Sequence, residues 1–349
     1  MVESFDDIDI YCLWNDDPMR YGSRQIYETV LARTPLRHRK VLALPAALVT
    51  WRHLPAIQKY DWALVSSHSF AHHARFSKNP DLKKLVYVHT PARYIWAPEA
   101  DARGRSLAAR TAGPMLRTLD RQRAKEIYSA AANSKFVAQR IERSWGIDAS
   151  TIYPPVDVSR IQAKSDWSAS LTGPDADLLG SLPSDFILGA SRFVEYKKLE
   201  TVIDIAVSMG VAAVIAGSGP DEMRLRAHAK ERGALAIFIL KPSDSLLYAL
   251  YQQALLYVFP ALEDFGIMPV EAMAAGALVL ANEVGGTSET VEDGRTGALA
   301  NFCSKASITE AVQRALSGQA SLSRSRAMKF SDAVFRSSLS SWVASKTGI

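Results

Sequence analysis

The stretch "EDFGIMPVEAMAAGALVLANEVGG", residues 263–286, sets two carboxylates, Glu263 and Glu271, around Phe265, Gly266 and Pro269. It lies where an apolar strand gives way to a helix of small residues. The preceding run "LLYVFP" has strand length and ends near Phe259, so Glu263 falls on the loop at the strand's carboxyl end. Pro269 suits a first helical turn, where its missing N–H has no acceptor to lose, and it places Glu271 in that same turn. A carboxylate there is favoured by the helix dipole, so Glu271 reads either as a dipole partner or as a ligand-binding group. The amides of Phe265, Gly266 and Ile267 precede the helix and can meet anionic or hydroxyl oxygens. Two carboxylates can accept hydrogen bonds from vicinal diols, and together these groups suit a sugar and a ribose.

Outward from this stretch the same alternation repeats. From about Asp185, "DFILGAS", "VAAVIAG", "LAIFIL", "LLYVFP" and "LVLANE" are continuous apolar runs of strand length. They are separated by the helical "LETVIDIAVSM", "DEMRLRAHAKERG", "DSLLYALYQQ" and "VEAMAAG". Such runs predict a parallel sheet covered on both faces, the Rossmann-like α/β arrangement. The N-terminal half repeats it more loosely, with "DWALVSS", "KLVYVHT" and "STIYPP" as strands. "IQAKSDWSASLTGPDADLLGSLPS" is rich in Ser, Asp, Gly and Pro and reads as a linker. The expected division is residues 1–160, a linker at 161–184, a second domain at 185–325 and a closing helix at 326–349. A length of 349 residues agrees with two domains, and 48% hydrophobic with 22% charged residues excludes a disordered chain.

Two open α/β sheets bind ligands at the carboxyl ends of their strands. Arg192 follows "FILGAS" and Lys197 lies on the turn into the next helix. A guanidinium fork and an ammonium point charge at a strand end suit a diphosphate, although solvated basic residues are common there too. Gly217 and Gly219 in "AGSGPDE" make a Gly turn between strand and helix, weak evidence alone. His68 and His72 stand four apart without the HExxH pattern, so a surface or groove-lining role is expected for "SSHSFAHHARF". Arg93, Tyr94 and Trp96 read either as a sugar or lipid platform or as aromatic core.

The two cysteines, Cys12 and Cys303, form no CxxC pair, which fits a reducing, cytoplasmic location. The acidic start is no signal peptide, and no apolar run reaches membrane-spanning length. The net charge of +5 is concentrated in the basic residues 103–125, which read as a solvated helix face or a contact with an anionic membrane. No nucleic-acid partner is expected.

"ASRFVEYKKLE", "IAGSGPDE" and "SLLYALYQQALLYVFPALEDFGIMPVEAMAAGALVLANEVGGTSETVEDGRTG" resemble, in order and spacing, the family 4 retaining glycosyltransferases of the GT-B fold. "VYVHTPARYIW", "AANSKFVAQRIERSWG" and "TIYPPVDVSR" extend the match and are similar to a bacterial branch that includes mannosyltransferases of surface-polysaccharide assembly. The resemblance covers about Asp7 to Arg336. It implies two Rossmann-like domains with a cleft between them and a last helix crossing back to the N-terminal domain. Glu271 would bind the ribose of a nucleotide sugar, GDP-mannose being the favoured donor, and Glu263 the hydroxyls of the transferred sugar. Arg192 and Lys197 would hold the diphosphate, Phe265, Gly266 and Ile267 would add amide donors, and His89 would lie beside the anomeric carbon.

No Asp-x-Asp motif lies at a strand end, so metal-independent transfer without a cofactor is expected. The acceptor would be a glycan or polyprenyl-linked glycan at the inner face of the plasma membrane. One departure stands out: the strand, Gly-rich turn and helix that open such chains before a segment resembling "DDIDIYCLW" are not found here, so the first domain is expected to lack that unit. A nucleotide-sugar 2-epimerase on the same fold and a non-catalytic nucleotide-sugar binder are the alternatives. The spacing of the glutamates argues against the epimerase.

Overall fold

The structure, a computed structural model, describes residues 1–17, 19–79, 81–97 and 107–348. Of the basic segment, Arg103, Arg105 and the side chain of Arg110 lie outside the described residues. The chain forms two compact units, Met1–Ile152 with Arg336–Ile349, and Tyr153–Phe335.

In the first unit, β1 (Ile10–Cys12) pairs in parallel with β2 (Ile26–Glu28), and α1 (Lys40–Trp51) follows. A separate parallel sheet has the order β3 (Trp62–His68), β4 (Lys83–Thr90), β5 (Ser129–Ala132), β6 (Ser150–Thr151). Its register sets Leu64 opposite Leu85 and Val86 opposite Ala130. The strand expected in "STIYPP" stops at Thr151, before two prolines that have no N–H to offer a ladder. Helices α2 (Arg93–Trp96), α3 (Leu107–Ala124) and α4 (Lys135–Trp145) complete the unit. Val86, Val88, Ala132, Val137, Ile141 and Trp145 pack sheet against helix.

The second unit begins with α5 (Val158–Gln162) and α6 (Pro174–Gly180). The six-stranded parallel sheet then uses β7 (Phe186–Arg192), β8 (Ala212–Ser218), β9 (Ala236–Leu240), β10 (Leu256–Phe259), β11 (Val279–Asn282) and β12 (Gly297–Ala300), in the order β12-β11-β10-β7-β8-β9. Its helices are α7 (Leu199–Met209), α8 (Glu222–Glu231), α9 (Asp244–Gln253), α10 (Ile267–Ala275), α11 (Thr287–Thr290), α12 (Lys305–Leu316) and α13 (Ala320–Ala327). Alternate residues serve opposite faces: Phe186 and Leu188 enter one core, Ile187 the other, which is why these strands read as unbroken apolar runs. The chain runs outward from β7 to β9, then returns to β10 and runs the other way. The strand order therefore reverses between β7 and β10, where open α/β sheets bind ligands.

Two boundaries differ from the sequence reading. The segment 161–184 is no linker but part of the second unit, anchored by Trp167 and Leu179 in its core. The Trp167 indole donates to the Ile161 carbonyl at 2.9 Å, and its amide to Gln252 Oε1 at 2.8 Å. Two apolar anchors outweigh a linker-like composition. The last helix, α14 (Asp332–Thr347), starts in the second unit, while its residues from Arg336 onward belong to the first. There Arg336 pairs with Glu3, and the Ser340 hydroxyl reaches the Ser4 carbonyl at 3.5 Å. No helix among the described residues is long and apolar enough to cross a membrane.

Candidate active site

At the carboxyl ends of β7 and β10 the loops Phe193–Lys198 and Pro260–Gly266 carry the residues singled out above. Lys197 closes a short 3-10 turn, Glu195–Lys197, and is 9% exposed. Its Nζ lies 2.5 Å from Glu263 Oε1 and 5.1 Å from the centre of the Phe259 ring. An ammonium held between a carboxylate and an aromatic face stays at one point. Arg192 is exposed at the end of β7 and donates from Nη2 to the Tyr196 hydroxyl at 2.7 Å. The Tyr196 ring centre is in turn 5.4 Å from Lys197 Nζ. Tyr196 thus links the two cations, a partner that no sequence motif announced.

Neighbouring loops lock this arrangement. The Phe193 amide donates to the Ser218 carbonyl at 2.9 Å, and Lys241 N to the Gly217 carbonyl at 3.0 Å. Gly217 has φ +140°, and a Cβ there would lie 1.9 Å from the Ser191 carbonyl oxygen, so it is a packing position between β8 and β7. On the other side, Gly286 N donates to the Glu263 carbonyl at 2.8 Å, and a Cβ on Gly286 would come within 2.3 Å of Asp264 O and Phe265 Cα. Alanine at Gly286 is expected to push the Glu263 loop away, lowering stability by about 1–3 kcal/mol and weakening any ligand held by Glu263. Thermal melts and nucleotide titration of Gly286→Ala check this.

The placement of Glu271 corrects the sequence reading. Helix α10 begins at Ile267 behind Gly266, which caps it in a left-handed conformation, and no acidic residue falls in its first turn. Glu271 is therefore no dipole partner of that turn. It lies among Tyr248, Tyr251 and Tyr257, and burial, helped by the Asp244 carboxylate, raises its pKa above the usual range. Phe265 is buried against Tyr153 and Phe330, while Ile267 is exposed. Of the three amides that the sequence reading singled out, that of Ile267 opens α10 and has no intrahelical acceptor, as at any helix start, while Phe265 and Gly266 precede the helix.

His89 belongs to the first unit, near the carboxyl end of β4, with Nε2 2.9 Å from the Ser66 hydroxyl. The other histidines are placed differently from expectation. His68 ends β3 and is exposed, whereas His72 and His73 lie in a 3-10 turn and are 0% and 1% exposed, so no helix face joins His68 to His72. His73 Nε2 donates to Asp120 Oδ1 at 2.9 Å, and His72 Nε2 lies 3.1 Å from that same oxygen, off the hydrogen-bonding direction. The indoles of Trp96 and Trp145 each donate to Asp120 Oδ2 at 2.7 Å. Trp96 and the buried Tyr94 are thus engaged within the first unit.

Among the described residues, His72, His73 and Asp120 also form a group close enough to share a cation, their ligand atoms lying within 4.8 Å. Charge decides how the cluster is read. Lys84 donates to the His72 carbonyl at 2.8 Å, lies 3.5 Å from Glu126 and is pushed down to about 8 by burial, while Arg52 pairs with Glu126 at 2.5 Å. Asp120 and Glu126 already face three cations, Lys84, Arg52 and Arg123, so a divalent cation would add to an excess of positive charge.

Residues 180–331 match the family described as Glycosyl transferases group 1. An alpha-1,3/1,6-mannosyltransferase of Neurospora crassa is 29% identical over 210 residues, 48% of this chain and 44% of that protein. A GDP-mannose-dependent alpha-(1-6)-phosphatidylinositol monomannoside mannosyltransferase of Mycobacterium tuberculosis is 28% identical over 198 residues, 52% of this chain and 51% of that one. The chain spans about half the length of these curated relatives. The fold is similar to sucrose-phosphate synthase of Thermosynechococcus elongatus, with TM-score 0.70 at 17% identity over 97% of this chain and 88% of that one. It is also similar to Anabaena HepE in complex with UDP and glucose, with TM-score 0.62 at 18% identity over 93% and 87%. The two Rossmann-like units have the GT-B fold, and residues 180–331 are similar to the glycosyl transferases group 1 family.

Proposed function

We propose that this chain transfers a hexose, mannose being favoured, from a nucleoside-diphosphate sugar to a glycan or polyprenyl-linked glycan, with retention of configuration and without a metal ion. The observation that carries this reading is the placement of Arg192, Lys197 and Glu263 together at the strand-order reversal between β7 and β10. Breaking the bond from the anomeric carbon to the phosphate oxygen leaves the electron pair on the diphosphate and oxocarbenium character on the sugar. Cations fixed at the diphosphate stabilise that charge as it develops. The acceptor hydroxyl forms the new bond on the same face, and its proton passes to the departing phosphate oxygen. Glu263 takes sugar hydroxyls and Glu271 the ribose hydroxyls, and His89 is assigned to turnover rather than donor binding.

The names of the N. crassa and M. tuberculosis relatives support mannose, and the second supports GDP. A cell-surface polysaccharide acceptor at the inner membrane face follows from the sequence resemblance. Exposed Arg117 and Lys125 of the basic segment are available to that membrane, whereas Arg121 and Arg123 are tied to the Ser144 carbonyl and to Glu126.

Calorimetric titration with GDP-mannose, UDP-glucose and the free diphosphates tests the donor site. One nucleotide is expected to bind, and both Glu271→Ala and Arg192→Ala to weaken it about tenfold or more. Because the Glu271 pKa is raised, its carboxylate is lost as pH falls sooner than an ordinary glutamate, and donor affinity should fall with it. Binding that neither substitution changes would overturn the assignment.

A further inference from the structure

Helix α1 is apolar on both faces. In "KVLALPAALVTW", Ala43 and Ala47 are buried, and Leu44 and Leu48 pack on Phe70, Tyr94 and Ile95. The opposite positions Leu42, Pro45 and Val49 recur at helical spacing and are exposed, Leu42 at 59% and Val49 at 62%. The 3-10 turn Val30–Arg33 packs beside α1 and adds Val30, 69% exposed. A surface helix ordinarily carries polar residues on its outer face, and an exposed apolar ridge with a polar rim marks a binding surface.

The rim is mainly basic, with Asp16 and the exposed Glu28 as acids beside it. Between Thr29 and Tyr60 the sequence has Arg33, Arg37, Arg39, Lys40, Arg52 and Lys59 and no aspartate or glutamate. Arg33 and Arg39 are exposed, while Arg37 and Arg52 pair with Asp16 and Glu126 from outside the segment. Apolar side chains with the exposed Arg33 and Arg39 nearby in the chain match the boundary of an anionic bilayer, where alkyl groups enter the acyl region and guanidiniums meet phosphates. A second copy of the chain would match the ridge but set like charges against each other.

We propose that the outer face of α1, with Val30 and the arginines around it, docks this chain on an anionic phospholipid membrane. The inference extends the reading of a membrane-linked acceptor, but its test does not depend on the donor site. The full chain would be sedimented with vesicles of phosphatidylcholine alone and of phosphatidylcholine with phosphatidylglycerol. Circular dichroism and thermal melts confirm that each variant is folded. Binding is expected only to the anionic vesicles, falling as salt rises. It should weaken about tenfold or more in Leu42→Glu/Val49→Glu and in Arg33→Glu/Arg39→Glu, and change little in Lys230→Glu/Lys305→Glu of the second unit. The proposal is overturned by equal binding to neutral vesicles, by no vesicle binding, or by as large a loss in Lys230→Glu/Lys305→Glu. It is also overturned by self-association that Leu42→Glu/Val49→Glu abolishes while vesicle binding persists. If vesicles bind but no nucleotide sugar does, the donor-site reading fails and this one stands.

Discussion

Alanine at Lys197 is expected to lower transfer about 10²–10³-fold, the largest loss of any single change at the donor site. On the proposed reading, removal of its ammonium takes away a charge that would meet the departing diphosphate. It also leaves the partly buried Glu263 carboxylate, now 2.5 Å from Lys197, with no cation beside it. Unpaired, that carboxylate would repel the diphosphate it had faced across a lysine. The loss should therefore appear in turnover and in affinity for the free nucleoside diphosphate together. Glu263→Gln separates the two effects: it frees Lys197 while removing the negative charge, so diphosphate binding should hold or improve even as sugar transfer drops. Unchanged diphosphate affinity in Lys197→Ala would show that the ammonium does not meet the phosphates.

The second large effect lies far from that chemistry in sequence. Asp120→Ala is expected to destabilise the first unit by about 3–5 kcal/mol, because one substitution strands two indole N–H groups and an imidazole in a closed interior. That corresponds to a fall of roughly 10 °C in melting temperature for a unit of this size. Nucleotide binding, which the proposed reading gives to the second unit, should survive below the new transition.

The same cluster predicts how stability follows pH. Burial works against the Asp120 charge, but His72 beside it and the hydrogen bonds from His73 and Trp96 outweigh it and hold the carboxyl well below its ordinary value of 3.8. Burial lowers His73 below 6.5 despite Asp120 beside it. Both folded values are depressed, so both contributions are full above the unfolded values and are lost as pH falls. Acid should therefore weaken the first unit in two stages, starting just below pH 6.5 through His73 and continuing below pH 3.8 through Asp120. Denaturant titrations from pH 8 to pH 3 would reveal both, and the second stage should vanish in Asp120→Asn.

What the sequence could disclose follows from how far each feature reaches along the chain. The strands β7, β8, β10 and β11 were legible because a sheet buried on both faces leaves unbroken apolar runs. Arg192, Lys197 and Glu263 were legible because they directly follow those runs. Glu271 was placed one turn too early, since Pro269 fits several positions of a first turn and only the left-handed Gly266 fixes where α10 starts. Composition suggested a linker at 161–184, but two side chains, Trp167 and Leu179, decide the matter by burial. The His73–Asp120 bond joins residues separated by 47 positions with no periodicity between them, so no local pattern could show it. Helix α1 hid in another way: "KVLALPAALVTW" has the composition of core, and only the fold shows that part of it faces water.

Helix α14 has a bearing on how the polypeptide assembles itself during synthesis. The first unit consists of Met1–Ile152 together with residues from Arg336 onward, so all of Tyr153–Phe335 must be translated before its last segment exists. The part made earliest is finished late, after the intervening unit has had the chance to fold. Until then the surfaces of Ser4, Phe5 and Trp62 that later face Ser340, Val343 and Ala344 stay uncovered on the ribosome. A nascent chain halted near Phe335 should therefore expose an apolar patch on an otherwise formed domain, a natural point for chaperone capture.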